Sequence, residues 1–165
     1  MNDAVATEDI GVITQQQLDS YLGKSIGAIC PNGYTTNADH HSAHFLSHVL
    51  GYRFGVTCQM MGGGRDAGAT IRVQDILSRC KSAGVWSLRP TSLSQCLVFI
   101  TRASNVNLAA KSISSAPRRH VGIYLNGFIW HYSSTRQQVI KEVPSQFKLY
   151  YPSSDNAMFY GSLPA

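Results

Sequence analysis

No apolar run in this chain approaches the length of a membrane span, and its first residues, Met1-Asn2-Asp3-Ala4-Val5-Ala6-Thr7-Glu8-Asp9, lack the basic and apolar regions of a signal peptide. The expectation is synthesis in the cytosol, with any export left to a dedicated secretion machine. The four cysteines, Cys30, Cys58, Cys80 and Cys96, are widely spaced and form no CxxC pair. That argues against a zinc ribbon and makes a disulfide framework sparse. Buried thiols are the expectation in the cytosol, and a single disulfide in an oxidising compartment. Basic clusters are equally scarce: Arg118-Arg119 is the one adjacent pair, and no basic helix or aromatic RNA-binding signature is present. The net charge of +5 and pI near 9.2 therefore read as attraction to a polyanion such as a cell-wall polymer, with nucleic acid discounted. The glycine-rich stretch Met61-Gly62-Gly63-Gly64-Arg65 has neither the lysine nor the spacing of a phosphate-cradling loop.

What is present is the composition of a globular protein. At 165 residues and 44% hydrophobic, the chain reads as one domain spanning 1–165, with 1–12 as a loose tail and no internal repeat. Thr14 can cap a short helix running to about Leu22, with Leu18 and Leu22 at i,i+4 and Gly23 as its stop. Ala43, Leu46, Val49 and Leu50 recur at helical spacing after a polar run. They predict a helix beginning between Asp39 and Ser42 and ending at Gly51. Residues 52–70 contain a flexible loop over 61–68, and a third helix fits Ile71 to about Lys81, with Ile71, Ile76 and Leu77 as candidate inward contacts. Trp86 and Pro90 fall in a connector. Cys96-Leu97-Val98-Phe99-Ile100-Thr101 is a nearly continuous apolar run and reads as a central strand buried on both faces. A polar loop, 102–118, leads to a hairpin; a further strand fits Gln138–Val143, and Met158-Phe159-Tyr160 can close the sheet. Helices first and an antiparallel sheet after them make an α+β pattern.

The chain is organised around Arg119-His120-Val121-Gly122-Ile123-Tyr124-Leu125-Asn126-Gly127-Phe128-Ile129-Trp130-His131-Tyr132. Two β-rich runs flank Asn-Gly, the signal for a two-residue type I′ turn. With Asn126 and Gly127 in the turn, Leu125 faces Phe128, Gly122 faces His131 and His120 faces Ser133. His120 and His131 then emerge on one face as diagonal neighbours, about 7–8 Å apart at Cα. Gly122 leaves open space beside the rings. Such a pair calls for a nucleophile, and the best position for one is Ser42, at the N-terminus of the predicted helix. Free backbone N–H groups and the helix dipole there stabilise a developing anion. A thiol would suit the place better than a hydroxyl, because dipole and imidazole together lower its pKa.

A polar loop leading to residue 42, the strand His120-Val121-Gly122-Ile123-Tyr124-Leu125 and a second histidine at His131 resemble the NlpC-type cell-wall peptidases over about residues 20–135. The resemblance implies a compact papain-like fold with a Cys-His-His catalytic set: nucleophile at position 42, His120 as base and then acid, His131 orienting it. It implies a peptidoglycan amidase or endopeptidase acting on stem or cross-link peptides and needing no metal or organic cofactor. Ser42-Ala43-His44-Phe45 stands where the family carries cysteine; an introduced Cys→Ser change, the favoured reading, competes with a natural change that reduces or alters activity, and under the former the present chain is nearly inert. A small, basic chain without a signal peptide also resembles the amidase effectors of bacterial type VI secretion. The implied setting is a monomer acting in the periplasm of a target bacterium, countered by an immunity protein, without membrane insertion.

Three other readings compete. Cys30 is an actual thiol but lies in a Pro-Asn-Gly turn with no evident helix N-terminus behind it. His40, His44 and His48 recur at i,i+4 and could share a zinc ion, although the acidic base of a His-Glu-x-x-His motif is missing. Such a stripe equally suits a solvated, pH-sensitive face. Finally, a catalytically inactive papain-like domain could serve as a binding module for cell-wall peptide or a partner protein, a reading Ser42 supports directly.

Overall fold

A computed structural model describes residues 13–114 and 117–164; the loose tail expected over 1–12 lies outside the described residues. The chain is α+β, with short N-terminal helices packed against a six-stranded antiparallel sheet. The helices are α1 (Gln15–Asp19), α2 (Ile26–Ile29), α3 (Ser42–Leu50), α4 (Cys58–Gly62), α5 (Val73–Arg79) and α6 (Pro144–Phe147). The strands are β1 (Ala83–Val85), β2 (Gln95–Arg102), β3 (Val106–Asn107), β4 (Ser112–Ile113), β5 (His120–Leu125), β6 (Phe128–Ser133), β7 (Gln138–Glu142) and β8 (Asn156–Gly161). The large sheet runs β1-β8-β2-β5-β6-β7, while β3 and β4 pair separately. No helix among the described residues is long and apolar enough to cross a membrane.

The central position of β2 follows from its composition. Residues Cys96 to Thr101 are all fully buried, which only a strand covered on both faces allows. Alternation along it separates two cores. Leu97 and Phe99 join Val121 and Ile123 of β5 in packing under the helices, against Leu18, Phe45, Leu46, Ile76 and Leu77. Val98 and Ile100 turn to the opposite face and meet Ile129, Phe147 and Met158.

Several boundaries differ from expectation. α1 is capped by Thr14, whose hydroxyl accepts from Gln17 N–H while the Gln17 side chain accepts from Thr14 N–H, but the helix stops at Asp19. Leu22 is consequently exposed. α3 starts at Ser42 and ends on Gly51, whose φ of 78° supplies the left-handed stop. α4, capped by Thr57, lies within 52–70 and runs into the start of the loop expected over 61–68, and the Trp86 connector is preceded by edge strand β1. β8 does not close the sheet; it lies inside it, between β1 and β2. All four cysteines are buried and unpaired.

Candidate active site

The turn between β5 and β6 has φ of 48° at Asn126 and 95° at Gly127, both in the left-handed region a type I′ turn demands. Leu125, Tyr124 and Ile123 then pair with Phe128, Ile129 and Trp130. His120 and His131 point to the same face, the one carrying Ile129 and Phe147, and both are buried. Their rings stand nearly perpendicular, at 86°, with His120 Nε2 and His131 Nδ1 2.9 Å apart. Gly122 leaves no open space beside them: a Cβ there would lie 2.6 Å from Ile129 Cγ2 and 3.2 Å from His131 Cβ. The glycine is what lets the hairpin close with both rings in place.

The pair extends to a third residue that the sequence reading missed. Glu142 Oε1 lies 2.7 Å from His131 Nε2. In β6–β7 pairing His131 faces Ile140, so Glu142 is its diagonal neighbour on the same face, as His131 is to His120. The carboxylate fixes both tautomers. It accepts only, so His131 donates from Nε2 and presents a lone pair at Nδ1. His120 must then donate from Nε2, which leaves Nδ1 as its basic nitrogen. That nitrogen makes no hydrogen bond among the described residues. The His131 contact holds the Glu142 carboxyl below its usual range, against the opposing effect of burial. Burial, then the neighbouring His131, keeps His120 well below the ordinary imidazole pKa, so it rests as a neutral base. Tyr150 stacks on His120 with centroids 3.7 Å apart, and Phe147 stands edge-on to His131, fixing both ring planes.

Ser42 is the first residue of α3, which packs on β5 and β6. Its helix lies over the face of the sheet opposite His120, so the two can approach only around the end of the strands. The segment before the helix makes that turn. His40 Nδ1 is 3.3 Å from Ser134 Oγ, just past β6, and the His41 ring meets Tyr132 edge-on with centroids 5.8 Å apart. Ser42 lines a cleft of about 660 Å³ together with Tyr34, His40, Arg72 and the pair Arg118-Arg119 that immediately precedes His120. Among the described residues no hydrogen bond joins Ser42 to His120. Arg119 belongs to this wall, and its Nη1 is buried without a partner among the described residues.

The histidine stripe is divided. His40 is exposed and faces Ser134, whereas His44 is fully buried and His48 half-buried. His44 and His48 meet Cys30 and Cys58 instead, the four ligand atoms all within 4.8 Å of one another. This is the one group among the described residues able to hold a metal ion. Burial pushes the Cys30 thiol up to about 11 and His44 down to about 3. A thiol kept protonated at the C-terminal end of α2 makes Cys30 a poor nucleophile. Compared with protein-family models, curated proteins and solved structures, the chain matches none of them.

Proposed function

We propose that this chain carries the framework of a peptidoglycan amidase or endopeptidase with a papain-like, NlpC-type fold, whose nucleophile position is residue 42. The observation that carries the reading is the His120–His131–Glu142 relay, which leaves His120 Nδ1 as the free basic nitrogen, on the strand that directly follows Arg118-Arg119 of the cleft that Ser42 lines. With cysteine at 42, the thiol proton passes to His120 Nδ1 and the sulfur attacks the carbonyl carbon of a stem or cross-link amide. Backbone N–H groups at the start of α3 hold the oxyanion. His120 returns the proton to the leaving amine as the C–N bond breaks, and a thioester forms. Water, deprotonated by the same nitrogen, then displaces the sulfur. His131 stabilises the imidazolium and Glu142 stabilises His131.

Arg118, Arg119 and Arg72 at the cleft suit a substrate bearing carboxylates, as peptidoglycan stem peptides do. The wider reading is a monomeric antibacterial effector delivered by type VI secretion, acting in a target's periplasm and neutralised by an immunity protein. With serine at 42 the hydroxyl stays protonated at neutral pH, so the present chain is nearly inert. A binding module is the second reading, favoured by that same hydroxyl. The test is digestion of purified peptidoglycan by Ser42→Cys, with fragments identified by mass. New fragments support the hydrolase. No cleavage of any chemotype, with tight muropeptide binding by the unaltered chain, supports the module.

A further inference from the structure

We propose that Cys30, His44, His48 and Cys58 form a structural zinc site that clamps the helix bearing residue 42 to the ends of the two short helices α2 and α4. The ligands come from three segments: Cys30 closes α2, His44 and His48 lie one turn apart on α3, and Cys58 opens α4. Their spacing matches a tetrahedral ion. Zinc takes sulfur at about 2.3 Å and nitrogen at about 2.0–2.1 Å, so tetrahedral edges should be about 3.8 Å between sulfurs, about 3.3 Å between nitrogens and about 3.6 Å for a mixed pair. The structure has Cys30 Sγ and Cys58 Sγ 3.7 Å apart, His44 Nε2 and His48 Nε2 3.2 Å apart, and Cys58 Sγ 3.8 Å from His48 Nε2.

The surrounding groups prepare the donors. His41 Nε2 lies 2.7 Å from the Thr36 carbonyl, which can only accept, so His41 donates there and accepts at Nδ1. His44 Nδ1, 2.9 Å away, must donate to it, which aims the bare Nε2 of His44 into the cluster. An outer hydrogen bond that sets the tautomer of a ligating histidine is the usual partner of a metal site. Cys58 Sγ accepts from the Ala69 backbone N–H at 3.2 Å and from the Asn32 side-chain amide at 3.6 Å, as suits a thiolate. Two thiolates balance a divalent cation, so the buried site is neutral once both thiol protons have left to solvent. Thiolates with imidazoles select zinc over the hard cations. Four protein ligands close the coordination shell, which makes the ion structural and keeps it out of the hydrolytic steps. Half-buried His48 gives the ion its way in.

The test is metal analysis of the unaltered chain purified under reducing conditions from zinc-supplemented cells. About one zinc per chain is expected, retained by Cys80→Ser and falling at least about tenfold in Cys58→Ser and His48→Ala. Should those variants fail to fold, cobalt titration of the metal-stripped unaltered chain decides. Intense visible bands and sulfur-to-cobalt charge transfer at one equivalent support the site, and their absence overturns it. Zinc retained by Cys58→Ser, or a metal-free chain that will not take up zinc or joins Cys30 to Cys58 as a disulfide, also overturns it.

Discussion

Glu142 reaches His131 Nε2 at 2.7 Å, and the nitrogen it controls is two rings away, on His120. Removing members of this chain should therefore have graded effects. In the Ser42→Cys background, His120→Ala should lower kcat by about 10²–10⁴-fold, the range for a lost general base. His131→Ala should cost less, because the base remains while its orientation is lost. Glu142→Gln should cost least, since an amide oxygen still accepts from His131, while Glu142→Leu should approach His131→Ala. Steady-state rates on a soluble muropeptide give the order; equal losses for Gln and Leu would remove the tautomer argument.

Arg119 lines the cleft, and its Nη1 is buried without a partner among the described residues. Arg119→Ala should raise KM for a carboxylate-bearing muropeptide by about tenfold or more, the loss expected for one charged hydrogen bond of about 1.5–3 kcal/mol, with kcat little changed. The same variant should be indifferent on a substrate whose stem carboxylates are amidated. A kcat effect without a KM effect would place Arg119 elsewhere in the reaction.

Gly122→Ala should destabilise the chain by about 1–3 kcal/mol, because the new methyl meets Ile129 and His131 in a filled space. Chemical unfolding measures the loss. Activity of the folded fraction should fall too, as His131 is displaced.

The buried imidazole makes stability depend on pH. His120 has a folded-state pKa well below its ordinary 6.5, so on acidification the unfolded chain takes up a proton that the native chain refuses. Its stabilising contribution is complete above about pH 6.5 and is lost as the pH falls from there toward the folded pKa. His120→Gln should flatten this dependence by up to about 1.4 kcal/mol per pH unit, read from urea midpoints at about pH 7.5 and about pH 5.5. Equal slopes for both proteins would mean His120 protonates freely in the folded state.

The strongest local signals were legible. Asn126-Gly127 fixed the hairpin register and hence the shared face of His120 and His131, and the apolar spacing after Asp39 located the start of α3. The nearly continuous apolar run within β2 announced a strand covered on both sides. Features set by distant parts of the chain were not legible. β1 and α4 are only three and five residues long, too short for periodicity to speak. Glu142 depends on the turn between β6 and β7, where Gln137 takes a φ of 55° that its side chain does not advertise. The thiols that meet His44 and His48 come from separate segments, so neither motif spacing nor the i,i+4 stripe could single them out, and the stripe suggested His40 instead.

The three members of the relay lie on one continuous meander, β5 to β7, joined by short turns, whereas residue 42 comes from a helix far earlier in the chain. Contacts close in sequence form at a smaller loop-closure cost than distant ones. During folding, the imidazoles and carboxylate should therefore find one another before α3 docks, so that the relay is assembled while residue 42 is still elsewhere. Pulsed hydrogen exchange would register this as protection of β6 amides preceding that of β8, whose pairing with β2 spans most of the C-terminal half. On the proposed hydrolase reading, a chain that assembles His120 and its partners first and docks residue 42 last has no working site until the fold is nearly complete.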